Sequence, residues 1–507
     1  MRFTVFSLCC VLLCLTSCDN ATEKEPENYE LMLSSFSFLR GNNPSLQEDV
    51  DCVISGDSIC AYIPDLDSTD SLIATFSGNY QSVKVGGVFQ KSGISYNNFN
   101  DSLKYIVEDR SGNQKIYRLF IKGGTGLPRI DIITEDPQGI VSKEYINACV
   151  SIKNSPEYGT IETTCKVRGR GNSTWTNYPK KPYMLKLDSK KSVFGFPENK
   201  KWVLLADYLD RSLMRTAYMC EVSKAIGVEY TINYQHVDLY VNGDYRGTYL
   251  LTDHVEKGKN RVNIDKDGFL IENDFYYYME PLSFTSSIYN CNYSFKYPDA
   301  DDKEIVQDDD NYGFILNYIN AFEEALAKIE GDVFDDSFTN FINVESFCKW
   351  YICANLIAME DPNLFYVMHS KRDKLHMMPM WDAEYSLGTW SNTWPDKRPE
   401  PLVESQIWTQ PYFPTLLKSP LFVDALKKQW INYKTNLAQV RNNILIRSKS
   451  IENAAHKNFI KWKEPDVTHL HVYFDTWQKE LEYVNSFFEE RVKWFDKYVN
   501  SLFHSLL

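Results

Sequence analysis

Between residues 166 and 186 an acidic chain gathers positive charge at Arg168, Arg170, Lys180, Lys181 and Lys186, with Gly169 and Gly171 flanking Arg170. Such a cluster suits a polyphosphate, and glycines let the backbone approach a ligand closely. Carboxylates recur downstream at Asp253, Glu272, Asp361, Asp382 and Glu384, with Asp382 lying 21 residues beyond Asp361. Phosphoryl transfer needs cations to neutralise the polyphosphate, carboxylates to hold a divalent metal, and a carboxylate to orient or deprotonate the acceptor hydroxyl. All three residue types are present. A basic Gly-rich stretch alone also describes a hairpin with a solvated face. On a strand, Lys181, Tyr183, Leu185 and Leu187 share one side and Lys186 takes the other, so spacing leaves open which lysine meets a nucleotide. Asp382 and Glu384 also offer a pair for glycoside hydrolysis, which needs two carboxylates about 5 to 10 Å apart, but no other feature supports that chemistry.

These residues need elements to hold them. From 128 to about 270 the pattern is mixed, with strands expected at 166–170, 183–187, 202–206, 236–241 and 248–252 and a helix over 211–226 stopped by Gly227. In that helix Leu213, Ala217, Cys220 and Ala225 form the core-facing stripe. Beyond 270 helices are expected to dominate, at 314–330, 344–359, 420–450 and 473–502. In the last, Trp477, Leu481, Val484, Phe488, Val492, Phe495 and Val499 step by three and four along one face. Ahead of this, residues 30–122 alternate short β-rich runs with turns, the signature of a small β-sandwich, and Gly123, Gly124 and Gly126 suggest a hinge.

The chain has 507 residues and a formal charge of -14, which disfavours nucleic acid as a partner. Arg2, an apolar run and Leu15-Thr16-Ser17-Cys18 read as an export signal over 1–18, followed by an acidic tether over 19–29. Of the 12 cysteines, eight lie beyond the signal without CxxC spacing. Cys52 with Cys60 and Cys149 with Cys165 are candidate disulfides, buried free thiols being the alternative. The histidines show no metal-ligand spacing: His369 and His376, seven apart, read as loop or strand residues. Trp390, Trp394, Trp408, Tyr412 and Phe413 suit either core packing or a glycan-binding platform.

Four stretches, in order, resemble the spore-coat protein H (CotH) kinase-like family: Arg168-Gly169-Arg170-Gly171-Asn172-Ser173-Thr174-Trp175 with Lys180-Lys181-Pro182-Tyr183; Lys201 to Asp207 with Asp210 to Arg215; Val241 to Asp253; and Pro379-Met380-Trp381-Asp382-Ala383-Glu384. The resemblance implies an α+β, atypical protein-kinase-like, two-lobed domain over 128–507, using ATP with magnesium or manganese to phosphorylate a protein. By the same resemblance Asp361 is the catalytic carboxylate, Asp382 a metal ligand and Asn363 a second one, although only two residues separate Asn363 from Asp361. Glu384, Glu272 and Asp253 become supporting carboxylates, and Arg168, Arg170, Lys181 and Lys186 phosphate contacts. Cys18 resembles the lipidated cysteine of a bacterial lipobox, and residues 35–122 resemble the Ig-like modules of bacterial surface lipoproteins. The expected protein is thus extracytoplasmic and anchored to the membrane by lipid. ATP is scarce there, so another donor, modification elsewhere, or a binding-only cleft all stay open. The alternative is a non-catalytic surface lipoprotein recognising a glycan or protein.

Overall fold

The computed structural model describes residues 30–46, 48–63, 66, 69, 71–100, 102–153, 159–299, 304–330, 335–361, 363–389, 412–462 and 472–502. Cys18, the tether, Trp390, Trp394 and Trp408 lie outside the described residues. The chain divides into two compact units, the first ending at Lys122, the second taking Gly123 onward together with 62–67.

The first unit is β-rich. Met32–Phe38, Val50–Asp51 and Thr75–Asn79 form one sheet, and a six-stranded sheet is centred on Leu103–Glu108 and Gln114–Gly123. In Gln114–Gly123 the buried residues are Tyr117, Leu119 and Ile121, a period of two with alternate residues exposed. Phe36 and Phe76 of the smaller sheet meet the Tyr105 ring of the larger one at centroid separations of 5.2 and 5.7 Å. None of the cysteines pairs among the described residues. Register explains this for Cys149 and Cys165 in the second unit, where Cys165 lies opposite Ala148. Cys149 therefore falls on the other face, exposed while Cys165 is buried. The same parity separates Cys52 from Cys60, whose partner across the ladder is Val53.

The second unit is α+β. Its first part is a closed barrel, in the order Arg129–Thr134, Ile146–Lys153, Ile161–Gly169, Tyr183–Lys191, Asn199–Leu205, Asp244–Asp253 and Tyr234–Val241, the last running parallel to the first. Inward positions such as Val167, Leu185, Leu204, Leu239 and Leu251 fill the barrel. Outward residues of three strands, Met184, Val203 and Leu250, belong instead to the large core shared with the helices. One flank of the barrel is therefore buried on both faces.

Against it lies the helix Arg215–Ile226, in which only Lys224 and Ala225 escape full burial. It begins four residues later than the pattern suggests. Residues 210–214 instead fold around the Asp210 carboxylate, which accepts from Ser212 N and Oγ, Arg215 N and Arg215 Nη1. Gly227, with φ of 74°, caps the helix by donating its N–H to Lys224 O.

Beyond 270 helices dominate the described residues as expected, but the region also contributes to a five-stranded antiparallel sheet that the pattern does not signal, ordered Ser283–Thr285, Asn292–Tyr297, Phe269–Asn273, Leu364–Met368 and Leu375–Met377. Its central strands carry no alternation: Leu364–Met368 is buried throughout, and Phe269–Asn273 at its first four residues. With both faces covered, the two-residue period disappears. The helices Asp310–Ala327, Val344–Leu356 and Trp477–Ser501 lie close to their expected positions. The expected helix 420–450 is two, Pro420–Tyr433 and Leu437–Lys461, separated by a 3-10 turn.

A helix approaches the barrel backbone closely at Gly247, with φ of 115°. A Cβ there would lie 2.6 Å from Asn458 Oδ1 and 2.7 Å from Trp462 Nε1. Asn458 Oδ1 accepts the Thr248 N–H, so this contact seats the helix Leu437–Lys461 on the barrel. Gly243, with φ of 84°, has open space around it. Gly247→Ala is expected to cost about 2 to 4 kcal/mol, combining strain and overpacking, and Gly243→Ala only about 1. Urea unfolding of both variants checks this, and equal losses would refute the close-approach argument.

Candidate functional site

A cleft of ≈ 620 Å³ opens where the barrel strand Ile161–Gly169 ends against the end of the central sheet strand at 272–274 and the loops at 361–363 and 381–384. Arg168, Arg170, Glu272, Asp361, Asn363, Asp382 and Glu384, chosen across more than 200 residues of sequence, line it together.

The spacing of Asp361 and Asp382 has a structural cause. The chain between them makes the hairpin Leu364–Met368 with Leu375–Met377 and returns to its start. Two backbone bonds then tie the loops together: Glu360 N donates to Tyr385 O at 2.9 Å and Leu387 N to Ile357 O at 2.7 Å. Ala358, Asp382 and Leu387 all adopt positive φ, of 47°, 70° and 47°. Strained backbone at three non-glycine positions is held in place by its surroundings. Part of that support is Arg215, whose Nε donates to Ser386 O at 2.8 Å, and part is Glu384, whose Oε1 accepts from Leu209 N at 2.6 Å.

Asp361 and Asp382 expose their side chains within the cleft. The protein packed around Asp382, then the neighbouring Asp361 and Glu384, push its carboxyl up to about 7, against the pull of Arg170. Burial raises Asp361. It also raises Glu272, opposed by Lys296 at 3.1 Å. Arg170 is lowered by desolvation, offset by Asp382. Asn363 Nδ2 donates to Glu272 Oε1, which leaves the amide oxygen as its ligand atom. The donor set facing the cleft is therefore two carboxylates and an amide oxygen, hard ligands of the kind that suit magnesium or manganese. Arg168, whose buried Nε has no hydrogen-bond partner, and Arg170 supply the charge a polyphosphate needs.

A family model described as CotH kinase protein matches residues 167–495. The chain belongs to the CotH kinase family. No curated protein matches it. Membership points to a kinase-like function, and the cleft contains residues from three of the four stretches by which the chain resembles the family.

Not every expected CotH contact is there. Lys181 lies outside the cleft because its Nζ donates to Trp175 O, at 2.5 Å. Lys186 is exposed on the outer barrel face, opposite in parity to the inward Leu185 and Leu187. Asp253 is a structural acceptor for Tyr230 Oη, Asn233 N and Asn233 Nδ2, buried away from the cleft. Glu384 lines the cleft but spends one oxygen on Leu209 N. The glycines of the Arg168–Gly171 stretch make room for protein rather than ligand: a Cβ on Gly169 would meet the Trp175 ring at 2.4 Å, and one on Gly171 the Thr174 hydroxyl at 2.2 Å. Of the aromatic residues suggested for a glycan, Tyr412 and Phe413 are buried in the helical core, where Phe413 stacks on Trp350.

Of the lysines in the basic cluster the structure places Lys180 in the cleft, 1% exposed, donating to Thr248 O at 2.6 Å over the Tyr249 ring. Burial lowers its pKa to about 7, resisted by Asp207. Asp207 itself, at φ of 47°, is raised well above the usual carboxylate range by burial and by Asp210 and Glu384. In the sequence Lys180 belongs to the basic cluster suited to a polyphosphate, while Asp207 stands in a motif without a role of its own. Sequence reasoning missed Lys296, which gathers Glu272, Asp274 and Glu280 at 3.1, 3.8 and 3.2 Å. It also missed Phe275 and Tyr276 in the cleft wall. The only signal was the aromatic run 275–278 beside Asp274.

The raised Asp382 pKa has a stability consequence. Between the ordinary value of 3.8 and about 7 the folded state binds more protons than the unfolded one, so stability falls as pH rises through that window. In metal-free buffer Asp382→Asn is expected to melt above the wild type at pH 8, with a smaller gain at pH 4, where the folded carboxyl is protonated and neutral in its burial. The comparison of the two pH values separates charge from the ease with which asparagine adopts positive φ. A gain that does not change with pH would refute it.

Proposed function

We propose that the chain is an atypical kinase that transfers phosphate to a protein acceptor with ATP and magnesium or manganese. The observation that carries this is the convergence of Asp361, Asn363, Asp382, Arg168 and Arg170 in one cleft. When bound, the metal nucleotide supplies the phosphoryl group and neutralises its charge. Asp382 and the Asn363 amide oxygen hold the metal. Arg168 and Arg170 bind and orient phosphate oxygens. Asp361, the carboxylate just beyond the hairpin's other end, accepts the hydroxyl proton of the acceptor. Phe275, 72% exposed at the cleft, and Tyr278, 66% exposed beside it, offer an apolar surface to a polypeptide acceptor. Those same rings favour the second reading, a surface lipoprotein that recognises a protein without modifying it.

ATP with magnesium or manganese at 100 times its dissociation constant is expected to stabilise the chain by about 2.7 kcal/mol, readable as a raised melting temperature. Asp382→Ala should lose that rise. Asp361→Asn should keep it while label transfer from ATP to protein falls by about 100-fold or more. No shift with any metal nucleotide would overturn the ATP-using reading in favour of recognition alone.

We also propose that residues 1–18 are a lipoprotein signal, that Cys18 carries lipid, and that an Ig-like sandwich over 30–122 stands between the anchor and the kinase-like domain on the extracytoplasmic side. The support is the sequence pattern. Among the described residues no helix is long and apolar enough to cross a membrane. Cys18→Ala is expected to abolish incorporation of labelled fatty acid and move the chain from the membrane to the soluble fraction. Unchanged fractionation and labelling would overturn the anchor.

A further inference from the structure

The hairpin joining Asp361 to Asp382 brings together two residues seven apart in sequence. His369 follows the strand Leu364–Met368, His376 lies within Leu375–Met377, and their rings meet edge to face at 4.8 Å. Glu229, two residues past the glycine that ends the buried helix Arg215–Ile226, reaches both. Its Oε1 is 2.9 Å from His369 Nε2 and its Oε2 is 3.1 Å from His376 Nδ1. One ligand atom from each residue lies within 4.8 Å of the others. His376 is 8% exposed, and its two nitrogens and His369 Nε2 have carboxylate oxygens at 2.9 to 3.4 Å as neighbours.

The outer contacts select the ring tautomers. His369 Nδ1 donates to Asn263 O at 2.6 Å, and Glu229 holds a proton on Nε2, which raises the ring pKa to about 9, so a cation that displaces that proton meets the Nε2 lone pair facing Glu229. His376 Nε2 lies 3.4 Å from Asp373 Oδ2, which favours a proton there and a lone pair on Nδ1, again toward Glu229. Two imidazole lone pairs and a carboxylate then face one another across a few ångströms, an arrangement that a cation between them would satisfy. A backbone carbonyl behind one imidazole and a carboxylate behind the other are the supports metal-bound histidines use. Nitrogen ligands distinguish this group from the all-oxygen set in the cleft and suit zinc-class metals over magnesium.

We propose that Glu229, His369 and His376 bind a zinc-class divalent cation that staples the hairpin carrying the candidate catalytic carboxylates to the end of the helix Arg215–Ile226. His376 lies in a strand and His369 just past one, as expected, and the proposal adds a metal role that their linear spacing does not signal. It is independent of the nucleotide reading.

The test uses the full chain, stripped with chelator and titrated with Co2+ without nucleotide. The wild type should bind one equivalent and show the visible d–d bands of a low-coordinate site, bleached by Zn2+. His376→Ala and Glu229→Gln should weaken binding more than about 100-fold, and Asp373→Asn, behind His376, about 10- to 100-fold. Asp382→Asn should leave the bands intact. Absence of bands in the wild type, the result expected if the cluster is an imidazolium pair held by Glu229, would overturn the proposal without recourse to any variant. Bands that survive His376→Ala but vanish in Asp382→Asn would place the cation in the cleft and overturn it equally.

Discussion

The buried pair Asp210 and Arg215, both 1% exposed and 2.6 Å apart, is the interaction on which the second unit turns. Two charges taken out of water gain from each other only if their remaining hydrogen-bonding capacity is also satisfied. Here it is. Asp210 takes two backbone N–H groups and the Ser212 hydroxyl, while Arg215 passes its Nε to Ser386 O. Losing one partner of such a pair typically costs about 3 to 5 kcal/mol. The pair is best understood as a specifier of geometry: it starts the central helix and secures the loop that carries Asp382. The contact between Arg211 and Glu480 at 3.2 Å, and the Trp477 Nε1 bond to Ser212 O at 3.0 Å, connect the same turn to the C-terminal helix.

Around that turn the cleft concentrates charge that the rest of the fold does not neutralise. Asp207, Asp382 and Glu384 all have raised pKa values, and Lys180 has a lowered one, because burial penalises the ionised form of each. Asp361 and Asp382 also repel one another. Under the proposed reading, a divalent cation between such groups would relieve both costs. Glu272 is different. Lys296 and Asn363 already occupy it, which makes it a positioning residue that turns the Asn363 amide oxygen outward.

The barrel shows the same division of labour. Its inward side chains form a self-contained core, while Met184, Val203 and Leu250 on the outer face join the helical one. Gly247 allows the helix Leu437–Lys461 close enough for Asn458 to bond Thr248 N, and the carbonyl of the same Thr248 receives Lys180. The glycine of the third motif thus positions a cleft residue through packing, with no contact to a ligand of its own.

The sequence by itself pointed to a kinase-like family, to seven of the residues that line the cleft and to the long elements. Arg168, Arg170, Asp361, Asn363, Asp382, Glu272 and Glu384 were all legible because residue type and motif order are linear properties. So was the helix Trp477–Ser501, whose one-sided burial leaves a period in the text. The five-stranded sheet was not legible, because strands buried on both faces carry no period, nor was the start of the helix at Arg215, which a side-chain pair decides. The choice of Lys180 over Lys181 and Lys186 depended on which carbonyl each lysine reached, Thr248 O or Trp175 O, or on neither. The meeting of His369 and His376 with Glu229, some 140 residues away, rests on a hairpin and a helix end coming together. Those outcomes belong to tertiary structure, because proximity in the folded chain is set by packing, which spacing along the chain does not encode.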